Sequence, residues 1–337
     1  MQPGGYRRCN YSELIYNNIL WKNAERVKHR NRRFFVLRKG IVLVIMMILL
    51  FTGCAGADGN KLPIDLSPGS AYSGQFESGS DQVYEDPTIR VERHKIESAS
   101  DEFNCWVWYA IITIADPSQL RTYPANGSDF CKTTRTTIDK LSKRVRAVLA
   151  INGDYPVAFS GNASVSYVLR QGEVYRDSVA EGLDILLIDE DGDFHVLTRD
   201  EDLAGIDKTQ IDGKKVINAF QFGPALIIDG KPVDDETLLD KSHSPTHAEP
   251  HSKHQRMVFC QIDTLKYMAV CVANWGATLP TMRDLVLYLA PECRVAYTLD
   301  GGESTQMTFL GRIFNNTGGS NADPRPLADI IYFASAQ

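Results

Sequence analysis

Apolar and β-branched residues in this 337-residue chain fall in short runs separated by glycine, proline and acids. Runs of roughly 4–8 such residues, bounded by turn formers, mark strands. Trp106–Ile114 is one, closed by Asp116 and Pro117. Ala147–Ile151 is another and runs directly into Asn152-Gly153-Asp154-Tyr155-Pro156. Hairpins are predicted where two runs flank a turn pair: Tyr167–Val174 around Gln171-Gly172, Asp184–Leu197 around Asp191-Gly192, and Ala225–Ile228 into Asp229-Gly230. Met257–Ile262 and Tyr267–Val272 make a fourth. Asn218–Phe222 leads to Gly223-Pro224, and Ile330–Phe333 is a last strand after Arg325-Pro326. Only Thr136–Val145 and Thr281–Leu289 repeat at helical spacing, with Thr281 as the expected cap of the second. Residues 234–255 read as a long acidic and histidine-rich loop. The pattern predicts an α+β fold: a single domain with a mixed or antiparallel sheet, rich in hairpins, with a few helices.

The N-terminal quarter reads differently. Residues 1–40 carry ten Lys/Arg against two Asp/Glu, so the remainder is more acidic than the whole-chain charge of −6. An acidic body argues against nucleic acid as partner. The basic stretch precedes the apolar run Ile41–Phe51, an order that keeps the N-terminus in the cytoplasm and sends the rest outside. Phe51-Thr52-Gly53-Cys54 resembles a bacterial lipobox, with a signal anchor or an early start codon as alternatives. The expected layout is a basic tail or leader at 1–39, a signal, transmembrane or lipoprotein segment at 40–57, a Gly/Ser/Asp/Pro-rich flexible linker at 58–88, and one domain at 89–337. The membrane is therefore an expected partner, with the domain on its extracytoplasmic side. Export permits disulfides, but the body has five cysteines, Cys105, Cys131, Cys260, Cys271 and Cys293, so at least one is left over.

Chemistry concentrates in Val295–Met307. A buried-strand pattern runs into Asp300, then Gly301-Gly302, Glu303, Ser304 and Thr305. An acid, bare backbone and hydroxyl donors at a strand end suit an anionic or sugar-like ligand, although Asp-Gly-Gly is also an ordinary turn. His243, His247, His251 and His254 form a polar cluster, but Pro245 and Pro250 interrupt it and no cysteine joins it, so the solvated-loop reading is preferred and no metal or other cofactor is expected. Asp189-Glu190-Asp191-Gly192-Asp193 lacks the downstream glutamate of a calcium loop and reads as a hairpin turn.

Taken in order, Asn152-Gly153, Gly223-Pro224-Ala225-Leu226 with Asp229-Gly230, Arg256 at the head of a hairpin, Leu299-Asp300-Gly301-Gly302 with Ser304-Thr305, and Arg325-Pro326 before a final strand resemble the phosphodiester glycosidase family over residues 90–335. The chain departs from the usual pattern at Asp154-Tyr155-Pro156, at Glu303 where a third glycine is usual, and at Asp329 where Asn is common.

The resemblance implies hydrolysis of a sugar C1–O–P linkage on cell-envelope or extracellular glycans, with a phosphodiester-linked carbohydrate as substrate. The alternative is a catalytically inactive carbohydrate-binding or envelope-scaffold protein. Such cleavage builds positive charge at C1 and negative charge on the phosphate. Asp300 is then expected nearest C1 and Arg256 on the phosphate, with Asp154 or Glu303 as a second acid–base group. Asn152, Gly153, Gly223, Gly301, Gly302, Ser304, Thr305 and Arg325 are the expected substrate-binding residues.

Overall fold

The computed structural model describes residues 82–96, 105–156, 166–240, 250–315 and 324–336. The tail, the apolar segment, residues 58–81 of the expected linker, and His243 and His247 lie outside them. Among the described residues no helix is long and apolar enough to cross a membrane.

Among the described residues the strands, numbered in chain order, form three sheets. The largest has eight strands in the order β1 (Val83–Glu85), β2 (Ile89–Ile96), β3 (Trp106–Ile114), β15 (Lys266–Ala277), β14 (His254–Asp263), β16 (Val295–Leu299), β12 (Ala225–Ile228) and β13 (Lys231–Pro232). The second runs β7 (Glu173–Arg176), β6 (Val168–Arg170), β11 (Lys214–Phe220), β8 (Ile185–Asp189) and β9 (Phe194–Leu197), with β10 (Gln210–Ile211) against β11. The third runs β18 (Arg312–Ile313), β17 (Met307–Phe309), β5 (Leu149–Asn152), β19 (Asp329–Phe333) and β4 (Leu120–Pro124).

Every strand pairing among the described residues is antiparallel. Among the described residues the three α-helices are short: α1 (Ile138–Arg144), α2 (Asp235–Leu239) and α3 (Leu279–Leu289). The hairpin-rich part of the expected α+β fold is present, but helices contribute so little that the domain is mostly β-sheet.

Strand alternation explains how these sheets stack. Along β14, Met257 and Phe259 face one core and Val258 and Cys260 the other. A period of two sends successive side chains to opposite faces. The first core also takes Leu149, Ile151 and Phe333 from the five-stranded sheet and Leu186 and Phe220 from the six-stranded one, so all three sheets share it. The second is closed by α3, through Met282, Leu285 and Val286. The central strands β14 and β15 are buried on both sides, which is why they read as continuous apolar runs.

Several boundaries differ from the sequence reading. The sheet begins at Val83, inside the expected linker, because Val83 and Tyr84 bury their side chains when β1 pairs with β2. The expected loop at 234–255 contains α2, capped by Asp234, whose side chain accepts from the Thr237 N–H at 2.8 Å. The cap of α3 is Thr278 rather than Thr281: its Oγ1 accepts from the Thr281 N–H at 3.3 Å. All five body cysteines are free.

Candidate functional site

Five chain segments meet at one edge of the stacked sheets. Residues 153–156 follow β5, Gln221 and Phe222 follow β11, and Asp300 follows β16, while His254–Arg256 open β14 and Asp329 opens β19. The Asn152 side chain ties two of these segments to each other and to Gln306. Its amide donates to the carbonyl oxygens of Asp300 (2.8 Å) and Gly153 (3.0 Å), and its Oδ1 accepts from the Gln306 N–H (3.2 Å). The Asp300 N–H donates to the Gly153 carbonyl at 3.3 Å. The backbone around Asp300 is thereby held from both sides.

Two glycines make the close approach possible. A Cβ on Gly301 would stand 2.7 Å from the Gln255 carbonyl oxygen, and one on Gly153 would stand 2.4 Å from Asp329 Oδ1. Neither position accepts a side chain without displacing its neighbour.

Two recesses join at Asp300 and Tyr155. The wider is lined by Phe222, His254, Arg256, Gly301, Gly302 and Arg325, and encloses ≈ 230 Å³. The narrower is lined by Arg135, Asn152, Gly153, Ser304, Pro326 and Asp329.

The electrostatics set the two recesses apart. The wide recess carries Arg256 and Arg325. Arg256 is buried, and its Nε and Nη2 donate to the carbonyls of Ala277 (3.1 Å) and Ser252 (3.0 Å), which fixes the plane of the guanidinium. Asp300 lines both recesses, and burial pushes its carboxyl up to about 6, against the pull of the Ser304 hydroxyl, Arg325 and the Gly301 N–H.

Behind the narrow recess, Arg170 lies between two acids, with Nη2 at 2.5 Å from Asp154 Oδ1 and 3.4 Å from Asp329 Oδ2. All three are buried, and the guanidinium also stacks over Phe220 at 4.1 Å. Two carboxyls share one guanidinium, so burial lifts both above the ordinary 3.8 despite Arg170, Asp329 to about 7.

The expected site residues therefore separate into groups. Asp300, Arg256, Arg325, Gly301 and Gly302 line the wide recess, while Asn152, Gly153 and Ser304 line the narrow one. Asn152, expected to hold a sugar hydroxyl, has its amide and carbonyl engaged by backbone and works as a strut. Asp154, expected as an acid–base group, is sealed in the Arg170 pair, and its Oδ2 accepts from the Gln221 N–H at 2.8 Å. Glu303 is exposed and lines neither recess, because the 3-10 turn Gly302–Ser304 carries it outward. Thr305 is buried and lines neither. Gly223 lies at the turn into β12, before a cis bond to Pro224, with its N–H on the Thr298 carbonyl at 3.1 Å.

Sequence reasoning missed Arg135, Tyr155 and Asp329 as lining residues and Arg170 as the counter-charge. The signals available were the acid at 329 in place of Asn and the Asp154-Tyr155-Pro156 departure. Tyr155 carries a φ of 66°, which sets it at the junction. Among the described residues no group of three or more His, Cys, Asp and Glu side chains is placed to hold a metal ion.

Known proteins resemble this chain in sequence or in fold. The uncharacterized SPbeta prophage-derived protein YomE of Bacillus subtilis (strain 168) is 29% identical over 196 residues, 56% of this chain. The chain spans only 28% of that relative's length. The catalytic domain of zebrafish N-acetylglucosamine-1-phosphodiester alpha-N-acetylglucosaminidase, auto-inhibited by its pro-peptide, superposes with a TM-score of 0.59 at 14% identity, covering 79% of this chain and 87% of that one. A hypothetical protein from Synechocystis gives 0.47 at 14% identity, over 73% and 62% of the two chains. The zebrafish likeness establishes the fold. The sequence model of the phosphodiester glycosidase family matches residues 145–334, from the approach to β5 through β19, and takes in the lining of both recesses except Arg135. The chain belongs to the phosphodiester glycosidase family.

Proposed function

We propose that this chain hydrolyses a glycosyl phosphodiester at the junction of the two recesses. The observation that carries the reading is the position of Asp300: one carboxyl shared by a wide recess with Arg256 and Arg325 and a narrow one that also holds Asp329. The phosphate binds in the wide recess against Arg256 and Arg325. Arg256 offers a guanidinium whose orientation is already fixed, so little ordering cost falls on binding. The anomeric carbon lies at Asp300. As the C1–O bond lengthens, positive charge grows beside an ionised carboxylate and negative charge grows beside the two cations. A phosphate monoester is a stable leaving group, so protonating it is less demanding than for an alkyl glycoside. Asp300 must be ionised for this role, so the rate rises as pH passes upward through about 6.

The test is release of free sugar by the purified domain from UDP-GlcNAc or from the methyl phosphodiester of N-acetylglucosamine-1-phosphate. Turnover that scales with enzyme supports the reading. Binding of either compound without turnover favours the inactive carbohydrate-binding alternative. The basic flank and the apolar run before Cys54 support an extracytoplasmic place of work. Cys54→Ala tests that through loss of processing.

A further inference from the structure

We infer that Asp329 is the base that takes the proton from the attacking water in the narrow recess. The inference rests on the hydrolytic reading above and assigns the second acid–base group that Asp154 and Glu303 do not supply. Asp329 is only 2% exposed, yet it lines the narrow recess together with Asp300. Its two oxygens differ. Oδ2 has one long contact, 3.4 Å to Arg170, and Oδ1 makes no hydrogen bond among the described residues. Asp154 is the opposite case: Oδ1 takes the short contact to Arg170 and Oδ2 the Gln221 N–H. Arg170 thus holds Asp154 more closely than Asp329, and Asp329 keeps Oδ1 for chemistry. Gly153 is cut back to bare backbone where that oxygen rests. The open space in the narrow recess is ≈ 10 Å³. One water molecule needs about 10–15 Å³ on this measure, so the recess suits a single water and excludes a sugar.

The step balances without a co-reactant. The water oxygen bonds to C1 while one of its protons passes to Asp329. The C1–O bond to phosphate breaks, and its electron pair leaves on the phosphate oxygen held by the arginines. The groups acting on Asp329 are Arg170 from β6, Asp154 after β5 and Asp300 after β16. Burial raises its basicity most, the two acids add to that and Arg170 lowers it, leaving the carboxyl near 7, a suitable strength for a base at neutral pH.

The experiment compares wild type, Asp329→Asn and Asp329→Ala on the methyl phosphodiester of N-acetylglucosamine-1-phosphate between about pH 5 and 9. In Asp329→Asn, Arg170 keeps Asp154, so the fold is expected to hold. The expected result is a fall in kcat of about 10²–10⁴, with the upper acid limb of the pH profile gone and the Asp300 limb near 6 retained. Formate added to Asp329→Ala should restore rate, which a purely structural role would not allow. Wild-type rate and an unchanged profile in Asp329→Asn overturn the assignment, and so does an Asp329→Ala enzyme that formate does not rescue. A wild-type enzyme that releases no sugar overturns the hydrolytic reading and this one with it. Wild-type turnover with indifferent variants overturns this one alone.

Discussion

Asp300→Asn should sharply lower turnover and yet stabilise the protein at neutral and alkaline pH. The native carboxyl is raised from 3.8 to about 6, whereas in the unfolded chain it returns to its ordinary value. The folded state therefore holds the proton more tightly than the unfolded state. That preference helps stability fully below about pH 4 and is lost as pH rises through about 6. Above that point the folded protein carries a charge it disfavours, at a cost of about 3 kcal/mol for a group fully withdrawn from water. Asp300 is partly open to the recesses, so about 1–3 kcal/mol is the working range. Asn keeps the shape and removes the charge. Urea denaturation of the two proteins should show Asp300→Asn ahead by that amount near pH 8, with the gap closing near pH 4. In the same preparations kcat should fall by roughly 10³, as it does when a pre-organised electrostatic group is lost. A variant less stable than wild type at pH 8, or a gap that does not narrow on acidification, would refute the account of this carboxyl. Retained activity would refute its catalytic role.

Other expectations are simpler to test. Arg256→Lys keeps the charge but loses the planar fork and its carbonyl anchors, so steady-state kinetics should show KM rising and kcat falling, each by about tenfold or more. Glu303→Gln should leave kcat/KM within about twofold, because the side chain points to solvent and lines neither recess. Gly153→Ala places a Cβ 2.4 Å from Asp329 Oδ1. It should cost about 1–3 kcal/mol in a urea melt and lower turnover by crowding the narrow recess.

What the sequence made legible was local. The Gln171-Gly172 and Asp229-Gly230 turns are adjacent residues that both take positive φ, as two-residue hairpins require, and short-range pattern finds them. Asp300 was legible for the same reason: an apolar run stops and two glycines follow. What stayed hidden depends on sequence-distant partners. Arg170 meets acids 16 and 159 positions away, and nothing in its own stretch marks it as a counter-charge. Asn152 looked like a sugar ligand because its partner, the Asp300 carbonyl, lies 148 positions on. Glu303 looked like a catalytic acid because proximity in sequence to Asp300 was all that could be seen. A single tight turn was enough to face it outward.

Strand order in the five-stranded sheet has a consequence for how the chain is made. Strand β19 lies between β4 and β5, yet it is synthesised about two hundred residues after β4. Until it emerges, the facing edges of β4 and β5 have no partner in this sheet, and open strand edges pair readily with other chains. The same late segment supplies Asp329, so the recess is completed only when the sheet closes. Catalytic competence is thus an end-point signal for folding: the appearance of activity during refolding should coincide with the slowest structural phase and not precede it.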